Sequence, residues 1–343
     1  MEEKNVTRRG LLKIGAIGAG SILSLPILNR MVPAGAQVQH APASAPKEES
    51  RFSHSGHDHG GTVGDVDTNR FDPSDFLTTF DYGTVSTLPS GQTLREWIIS
   101  AGDVEIEVAP GVFYPAWSYN GQVPGPTFRC TQGDRLRFHF LNGSEHPHTI
   151  HFHGIHPPNM DGFEPVVQPG GKFTYEFDAK PFGLHPYHCH TIPLARHIHK
   201  GLYGAFIVDP PGGRTPAKEM VMILNGFDTN FDGENEIYAV NTVAFHYSKH
   251  PIQVKVGELL RIYLVNMTEF DPINSFHLHA GMFRLYRTGT RLDHYEYTDN
   301  VIMGQGERHI LEIELEYPGK YMFHAHQSEL AELGWMGFFD AVA

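Results

Sequence analysis

Histidine is the outlier in this 343-residue chain: there are 23, and eight of them form four His-X-His segments at matched positions in the two halves of the chain. The segments are His151-Phe152-His153, His188-Cys189-His190, His277-Leu278-His279 and His324-Ala325-His326. On an extended strand residues i and i+2 point to one face, so each segment sends two imidazoles into one space. Imidazole suits copper, iron and zinc. A closed zinc site takes only four ligands. Eight nitrogens instead match three metal ions with positions left open for a small ligand. One such segment is commonly structural, but four at matched positions are read as ligands.

Cys189, between His188 and His190, is a donor of another kind. A thiolate with two imidazoles is the trigonal set of a blue electron-transfer copper. The two imidazoles are assigned to His148, ahead of the first pair, and His197, beyond the cysteine. Five residues past His197, where a weak axial Met can lie, stands Leu202. Without a thioether Cu(II) loses stabilisation relative to Cu(I), which raises the potential. An electron arriving at the Cys189 sulfur has a short covalent route through His188 and His190 to the eight-imidazole cluster. A one-electron acceptor wired to three metals suits a multi-electron reduction taken in single steps. Dioxygen, which needs four electrons to reach water, is the natural substrate.

The elements that must position these side chains occur twice. Asn120-Gly121-Gln122-Val123-Pro124-Gly125-Pro126-Thr127-Phe128 leads into a turn at Gly133-Asp134, and Arg135 to Asn142 then alternates polar and apolar as a half-buried strand does. Gln253 to Asn266 repeats the arrangement, with Gly257 and Asn266 spaced as Gly133 and Asn142 are. One His-X-His follows each strand and a second closes each half. A glycine pair and an apolar strand come next, from Gly201 and Gly204 to Val208 and from Gly334 and Gly337 to Phe339. Duplication explains this economically. Pro210 to Pro216 is a stiff connector between the halves. Closely spaced strand signals with little helical periodicity predict an all-β chain of two β-sandwich domains, with one helical turn or two at Glu329–Leu333.

Composition sets the surroundings. Lys and Arg number 26 against 39 Asp and Glu, a net charge of −13, which argues against nucleic-acid binding. With 40 % apolar and 19 % charged residues, the chain can bury real cores. Thr7-Arg8-Arg9-Gly10-Leu11-Leu12-Lys13, the apolar stretch Ile14–Leu28 and Ala34-Gly35-Ala36 resemble a twin-arginine export signal over residues 1–36. The apolar run is short of the ~20 residues that span a bilayer, so no stable membrane span is expected. Export by the twin-arginine machinery places the mature chain in the periplasm, outside the cell or on its surface. Residues 37–75 read as a flexible tether in which His54, His57 and His59 form at most a labile metal-loading segment. The only other cysteine, Cys130, reads as a small buried hydrophobe, since pairing it with Cys189 would destroy the blue site.

Ile150 to Gly154, His188-Cys189-His190-Thr191, His197 and Gly201-Leu202 resemble the copper signatures of the multicopper oxidases. The resemblance covers the chain from about Phe76 to its end and implies two cupredoxin-like Greek-key β-sandwich domains, 76–211 and 212–343. It implies a laccase-like activity: single electrons are taken from a phenol, aromatic amine or metal ion at a type 1 copper, and dioxygen is reduced to water at a trinuclear cluster. By the resemblance His148, Cys189 and His197 hold type 1 copper, with Leu202 at the axial position. His151 and His277 hold type 2, while His153, His188, His190, His279, His324 and His326 hold the type 3 pair. That makes about four copper ions per chain. Ala325 and Asn274 stand where the second domain would need Cys189 and His148, so that domain supplies only half of the cluster. The family arrangement also implies a homotrimer with clusters at the subunit interfaces.

Copper nitrite reductase, which turns nitrite into nitric oxide, is the alternative. Its pattern places a catalytic aspartate three residues after a type 1 histidine, where this chain has His151. A non-catalytic electron carrier or copper-storage protein is a further alternative, but a carrier has no use for eight more histidines and storage favours Met- or Cys-rich tracts. Four electrons to dioxygen require four protons. Asp161 falls where related oxidases place an acid near type 2 copper, and Glu329, three residues past His326, is a second candidate relay. His139, His146, His156, His185 and His199 are expected to support the ligands or lie at the surface. Pro157–Met160 and Leu194–Arg196 are candidate walls of a reductant pocket.

Overall fold

The computed structural model describes residues 64–343. The export signal, most of the tether and the His54, His57 and His59 segment lie outside the described residues. The fold begins earlier than composition suggests. Asp72 caps a one-turn helix, Pro73–Phe76, by accepting from the Ser74 amide at 2.7 Å, and Phe76 is 5 % exposed.

The architecture is all-β. In the first half, Thr84–Thr87, Thr93–Ala109, Arg135–Asn142 and Lys172–Asp178 lie side by side in one sheet, with Val112–Tyr119 also paired to Thr93–Ala109. The facing sheet runs Phe128–Thr131, Tyr203–Asp209, Gly183–His188, His151–Phe152. In the second half a six-stranded sheet centres on Lys218–Phe227, Leu259–Asn266 and Arg308–Glu314. Its five-stranded partner carries Ile273–Leu278, Gly319–His324 and Met336–Val342.

The repeat read from the sequence is a repeat of topology. Arg135–Asn142 runs parallel to Thr93–Ala109 and antiparallel to Lys172–Asp178. Leu259–Asn266 likewise runs parallel to Lys218–Phe227 and antiparallel to Arg308–Glu314. Each strand ends on an asparagine with the same task. Asn142 accepts from the Ser144 amide and Asn266 from the Thr268 amide, both at 3.1 Å, which turns the chain toward the first histidines of its half.

Burial separates the copies. Leu136, Phe138 and Phe140 face inward between more exposed neighbours, as alternation predicts. Leu260 through Asn266 are buried without interruption, because the outer face of that strand lies under the first half. Tyr263 and Val265 there share an apolar seam with Val108, Tyr114, Leu184 and Ile207 of the first half. Above the seam Arg261 pairs with Glu219 at 3.1 Å and Glu312 at 2.7 Å, and Arg129 joins Asp209 to Glu219 at 2.7 and 2.6 Å.

Helices are few and short. Ser328–Glu332 falls in the segment read as a helical turn, whereas Leu194–His199, read only as a candidate pocket wall, also closes into a turn and a half after Pro193. Among the described residues no helix is long and apolar enough to cross a membrane.

Candidate metal centres

Three donors converge inside the first sandwich. Cys189 sits just past the strand Gly183–His188, and its amide donates to the Leu202 carbonyl at 3.0 Å. His148 pairs with Val167 beyond the Asn142 turn, where Asn142 Nδ2 donates to the His146 and Val167 carbonyls at 2.7 and 2.8 Å. His197 comes from the helix Leu194–His199. Cys189 Sγ lies 3.2 Å from His197 Nδ1 and 3.8 Å from His148 Nδ1, and the two Nδ1 atoms are 3.1 Å apart. Burial pushes His148 down to about 3 and His197 down to about 4, so both imidazoles are neutral at pH 7 with lone pairs to offer. Burial raises the Cys189 thiol, opposed by bonds from Thr191 and Thr149, whose amide donates to the sulfur at 3.4 Å. Two neutral nitrogens and a sulfur, sealed together and aimed at one point, fit a soft cation. Leu202, at the place assigned to an axial ligand, is fully buried and offers only hydrocarbon. Trp117 covers the centre, its ring 5.2 Å from His148 and 5.0 Å from His197 between centroids.

The His-X-His segments build two further groups, one in each half. The donor atoms of His151, His153 and His188 lie within 4.8 Å of one another, as do those of His277, His279 and His324. Strand register makes this possible: His151 stands opposite His188, and His277 opposite His324. The tautomers are set by the backbone. His151 Nδ1 meets the Asp161 carbonyl at 2.7 Å and His188 Nδ1 the Cys189 carbonyl at 2.9 Å. His277 Nδ1 meets the Asp299 carbonyl at 2.9 Å and His324 Nδ1 the Ala325 carbonyl at 2.6 Å. A carbonyl only accepts, so each Nδ1 carries the proton and each Nε2 keeps its lone pair. Two of the freed atoms face a partner: His188 Nε2 lies 3.2 Å from His153 Nε2, and His324 Nε2 lies 2.9 Å from His279 Nε2. Desolvation lowers His153 and His188, and more mildly His151, His279 and His324, which again keeps them neutral.

His190 and His326 stand beside these groups rather than within them, with rings 5.4 Å from His151 and 5.1 Å from His277. Their amides are held alike, by Thr149 Oγ1 at 3.1 Å and Ser275 Oγ at 2.7 Å. Among the described residues no donor group joins a first-half histidine to a second-half one.

Of the two carboxylates named from the sequence, one lies at a group. Asp161 Oδ1 is 3.3 Å from His151 Nδ1 and 3.9 Å from His156 Nε2. Gly162 holds it there: φ is 82°, and a Cβ would collide with the Ile150 carbonyl. Glu329 is exposed in the first turn of Ser328–Glu332 and bonds none of the second-half histidines. The acid there is Asp299, with Oδ2 3.9 Å from His277 Nδ1. Sequence reasoning missed it because it lies on a different hairpin, with no short spacing to mark it.

The second half is closed to a thiolate centre. Asn274 is engaged at both its side-chain atoms, Oδ1 accepting from the Ser275 amide at 2.7 Å and Trp335 Nε1 at 2.9 Å while Nδ2 donates to Thr268 at 2.9 Å. Ala325 and Trp335 are both fully buried.

The other five histidines named from the sequence are placed individually. His146 packs on Trp117 at 4.6 Å, His156 bonds the Phe152 carbonyl at 2.7 Å, and His199 bonds the Tyr114 hydroxyl at 2.8 Å. His185 is buried against the Pro181 carbonyl, and His139 is half-exposed beside Glu96. Cys130 is 1 % exposed and free. Asp228, Asp232 and Glu236 also converge, in a loop whose own amides satisfy Asp228.

Comparison with known proteins matches this geometry to one family. Two domain models described as multicopper oxidase match residues 101–213 and 215–342. A solved structure described as a multicopper oxidase is 56 % identical, with a TM-score of 0.78, over 79 % of this chain and 97 % of that one. A copper-containing nitrite reductase of Neisseria meningitidis is 29 % identical over 237 residues, 63 % of this chain and 61 % of its own length. Laccase-25 of Oryza sativa subsp. japonica is 32 % identical over 166 residues, 43 % of this chain and 28 % of its own. The chain thus spans about three fifths or less of the curated relatives named here.

Proposed function

Because the chain belongs to the multicopper oxidase family, a family of copper-dependent oxidoreductases, we propose that it is a laccase-like oxidase that passes single electrons from a reducing substrate to dioxygen. The observation that carries this reading is the junction at Cys189. Its sulfur belongs to the His148–His197 centre, while the next residue back, His188, faces His153 in a separate donor group. Copper bound at these donors supplies the one-electron steps, and about four ions per chain is the number the ligand set fits.

The protein's own part is orientation, exclusion of water and proton handling. Backbone carbonyls hold four imidazoles with Nε2 inward, so little rearrangement accompanies turnover. Burial of Cys189 and His148 keeps water from the entry centre. Asp161 and Asp299, partly exposed beside His151 and His277, link the donor groups to solvent and carry protons inward.

The two histidine groups of one chain do not meet; exposed Ile155, Phe163 and Ile192 flank the first in sequence, Phe163 with its ring 6.0 Å from that of His190, and exposed Ile273 and Met282 flank the second in sequence. A first-half face of one chain set against a second-half face of another completes the eight-imidazole cluster, and three chains close the ring. Export through the twin-arginine route, with the cofactor inserted before transport, accompanies this reading.

Copper per chain in reconstituted protein, measured with dioxygen uptake on a phenol, tests the assignment. About four ions per chain with uptake supports it. About two, with nitrite consumed instead, replaces it by the nitrite reductase reading despite His151 standing at the aspartate position.

A further inference from the structure

Lys200 is a charged residue with no charged partner. It is only 9 % exposed, and among the described residues no carboxylate lies in ion-pair range of its ammonium and no acceptor bonds it. Aromatic rings surround it instead: Nζ is 5.0 Å from the Tyr114 ring centroid, 4.9 Å from Phe231 and 6.0 Å from Trp117. Phe231 belongs to the second half, on the loop between Lys218–Phe227 and Ile237–Val240, so both halves build the cage. Such a cage offsets part of the cost of burying an ammonium and leaves its N–H donors unused.

Lys200 also lines an open hollow of about 330 Å³, together with Asp103, Glu105, Pro115 and Trp117. That volume is at the lower end of small-molecule sites, about 300–1,000 Å³. Its floor is Trp117, the residue that packs on both His148 and His197. Backbone bonds fix floor and wall together: the Trp117 amide donates to the Lys200 carbonyl at 2.7 Å, and the Lys200 amide to the Arg196 carbonyl at 3.1 Å. The Arg196 guanidinium lies 5.1 Å from the centroid of the same indole. Cations beside its ring make the indole harder to oxidise, so Trp117 serves as a contact between reductant and histidines rather than as a radical site.

We propose that Lys200 anchors a phenolic reductant in this hollow, its oxygen accepting from the ammonium and its ring against Trp117. This rests on the oxidase reading above and names the substrate class it takes. A metal-ion reductant fits less well, because the caged ammonium repels a cation where it would approach the indole. In the step itself the phenol would lose one electron to Cu(II) held by His148, Cys189 and His197, which would become Cu(I). Its hydroxyl proton leaves through the open mouth, where Asp103 and Glu105 are exposed, and a phenoxyl radical departs.

Binding of 4-nitrophenol to the copper-free full chain, by calorimetry, tests the site without turnover. Lys200→Met should weaken it about tenfold or more, the loss of one hydrogen bond to a charged donor, while Lys200→Arg should retain most of the affinity. In the copper-loaded protein, Lys200→Met should lower kcat/KM for a phenol about tenfold, while kcat/KM for hexaammineruthenium(II), a cationic reductant with no acceptor oxygen, should not fall. An unchanged blue absorption band and thermal midpoint establish that the variant folds. Absence of 4-nitrophenol binding to the wild type, or equal affinity in Lys200→Met, overturns the proposal. Failure of the wild type to consume dioxygen with hexaammineruthenium(II) overturns the oxidase reading instead.

Discussion

A cluster assembled from two chains predicts a quantitative rescue. His153→Ala removes a donor 3.2 Å from His188 in the first-half group, and His279→Ala removes one 2.9 Å from His324 in the second-half group. Neither touches Cys189, His148 or His197, so both variants should keep the blue absorption. Each alone makes an assembly in which every cluster lacks one histidine, and dioxygen uptake should fall at least about a hundredfold. Co-expressed with different affinity tags and purified through both, the variants form only mixed rings. In a ring of three, either mixed composition contains a single junction at which an intact first-half face meets an intact second-half face. Mixed rings should therefore show about one third of wild-type uptake per ring, and an unselected equal mixture about one quarter. A head-to-tail dimer would give about one half, so the recovered fraction also counts subunits. Uptake by the doubly purified material no higher than by either variant alone would refute assembly of the cluster between chains.

Three further outcomes follow from distances already given. Leu202→Met supplies a thioether where the wild type has buried hydrocarbon, and the midpoint potential of the blue centre should fall in a redox titration. Asp161→Asn keeps the backbone carbonyl that orients His151 but loses the proton carrier, so copper content should hold while turnover drops about a hundredfold. Arg261→Met leaves Glu312 and Glu219 short of a buried partner and should cost about 3–5 kcal/mol by urea unfolding, or abolish the folded state. Burial pushes the Glu219 carboxyl up, but bonds from Arg129, Tyr263 and Arg261 outweigh it and hold it below 4.5. Its contribution is thus present above that value and disappears as pH falls through the lowered one.

What was legible in the sequence was what repeats locally. The imidazole pairs were marked by their i, i+2 spacing, although each strand holds only the first histidine of its pair, and the halves could be read because Gly133 to Asn142 and Gly257 to Asn266 share one spacing. The loss of a thiolate site from the second half could be read from Asn274 and Ala325, but not that Trp335 is hydrogen-bonded to Asn274. Asp299 was invisible because its neighbour His277 is 22 residues away and the hairpin between them sets the contact. Lys200 was invisible for a stronger reason: its cage draws on Tyr114, Trp117 and Phe231, from separate elements of both halves. The helix Leu194–His199 is too short for periodicity to announce, although it carries His197.

Under the proposed oxidase reading, Asn274, Ala325 and Trp335 also determine how traffic would reach the reaction centre. With that half filled by hydrocarbon and indole, each cluster has one feeder, the cysteine of the chain that gives it His188 and His190. On that reading four equivalents would pass that gate in turn for each dioxygen consumed. Turnover per cluster then cannot exceed about one quarter of the rate at which the gate reloads. Adding reductant ports elsewhere on the surface would not raise that ceiling, whereas a faster gate would.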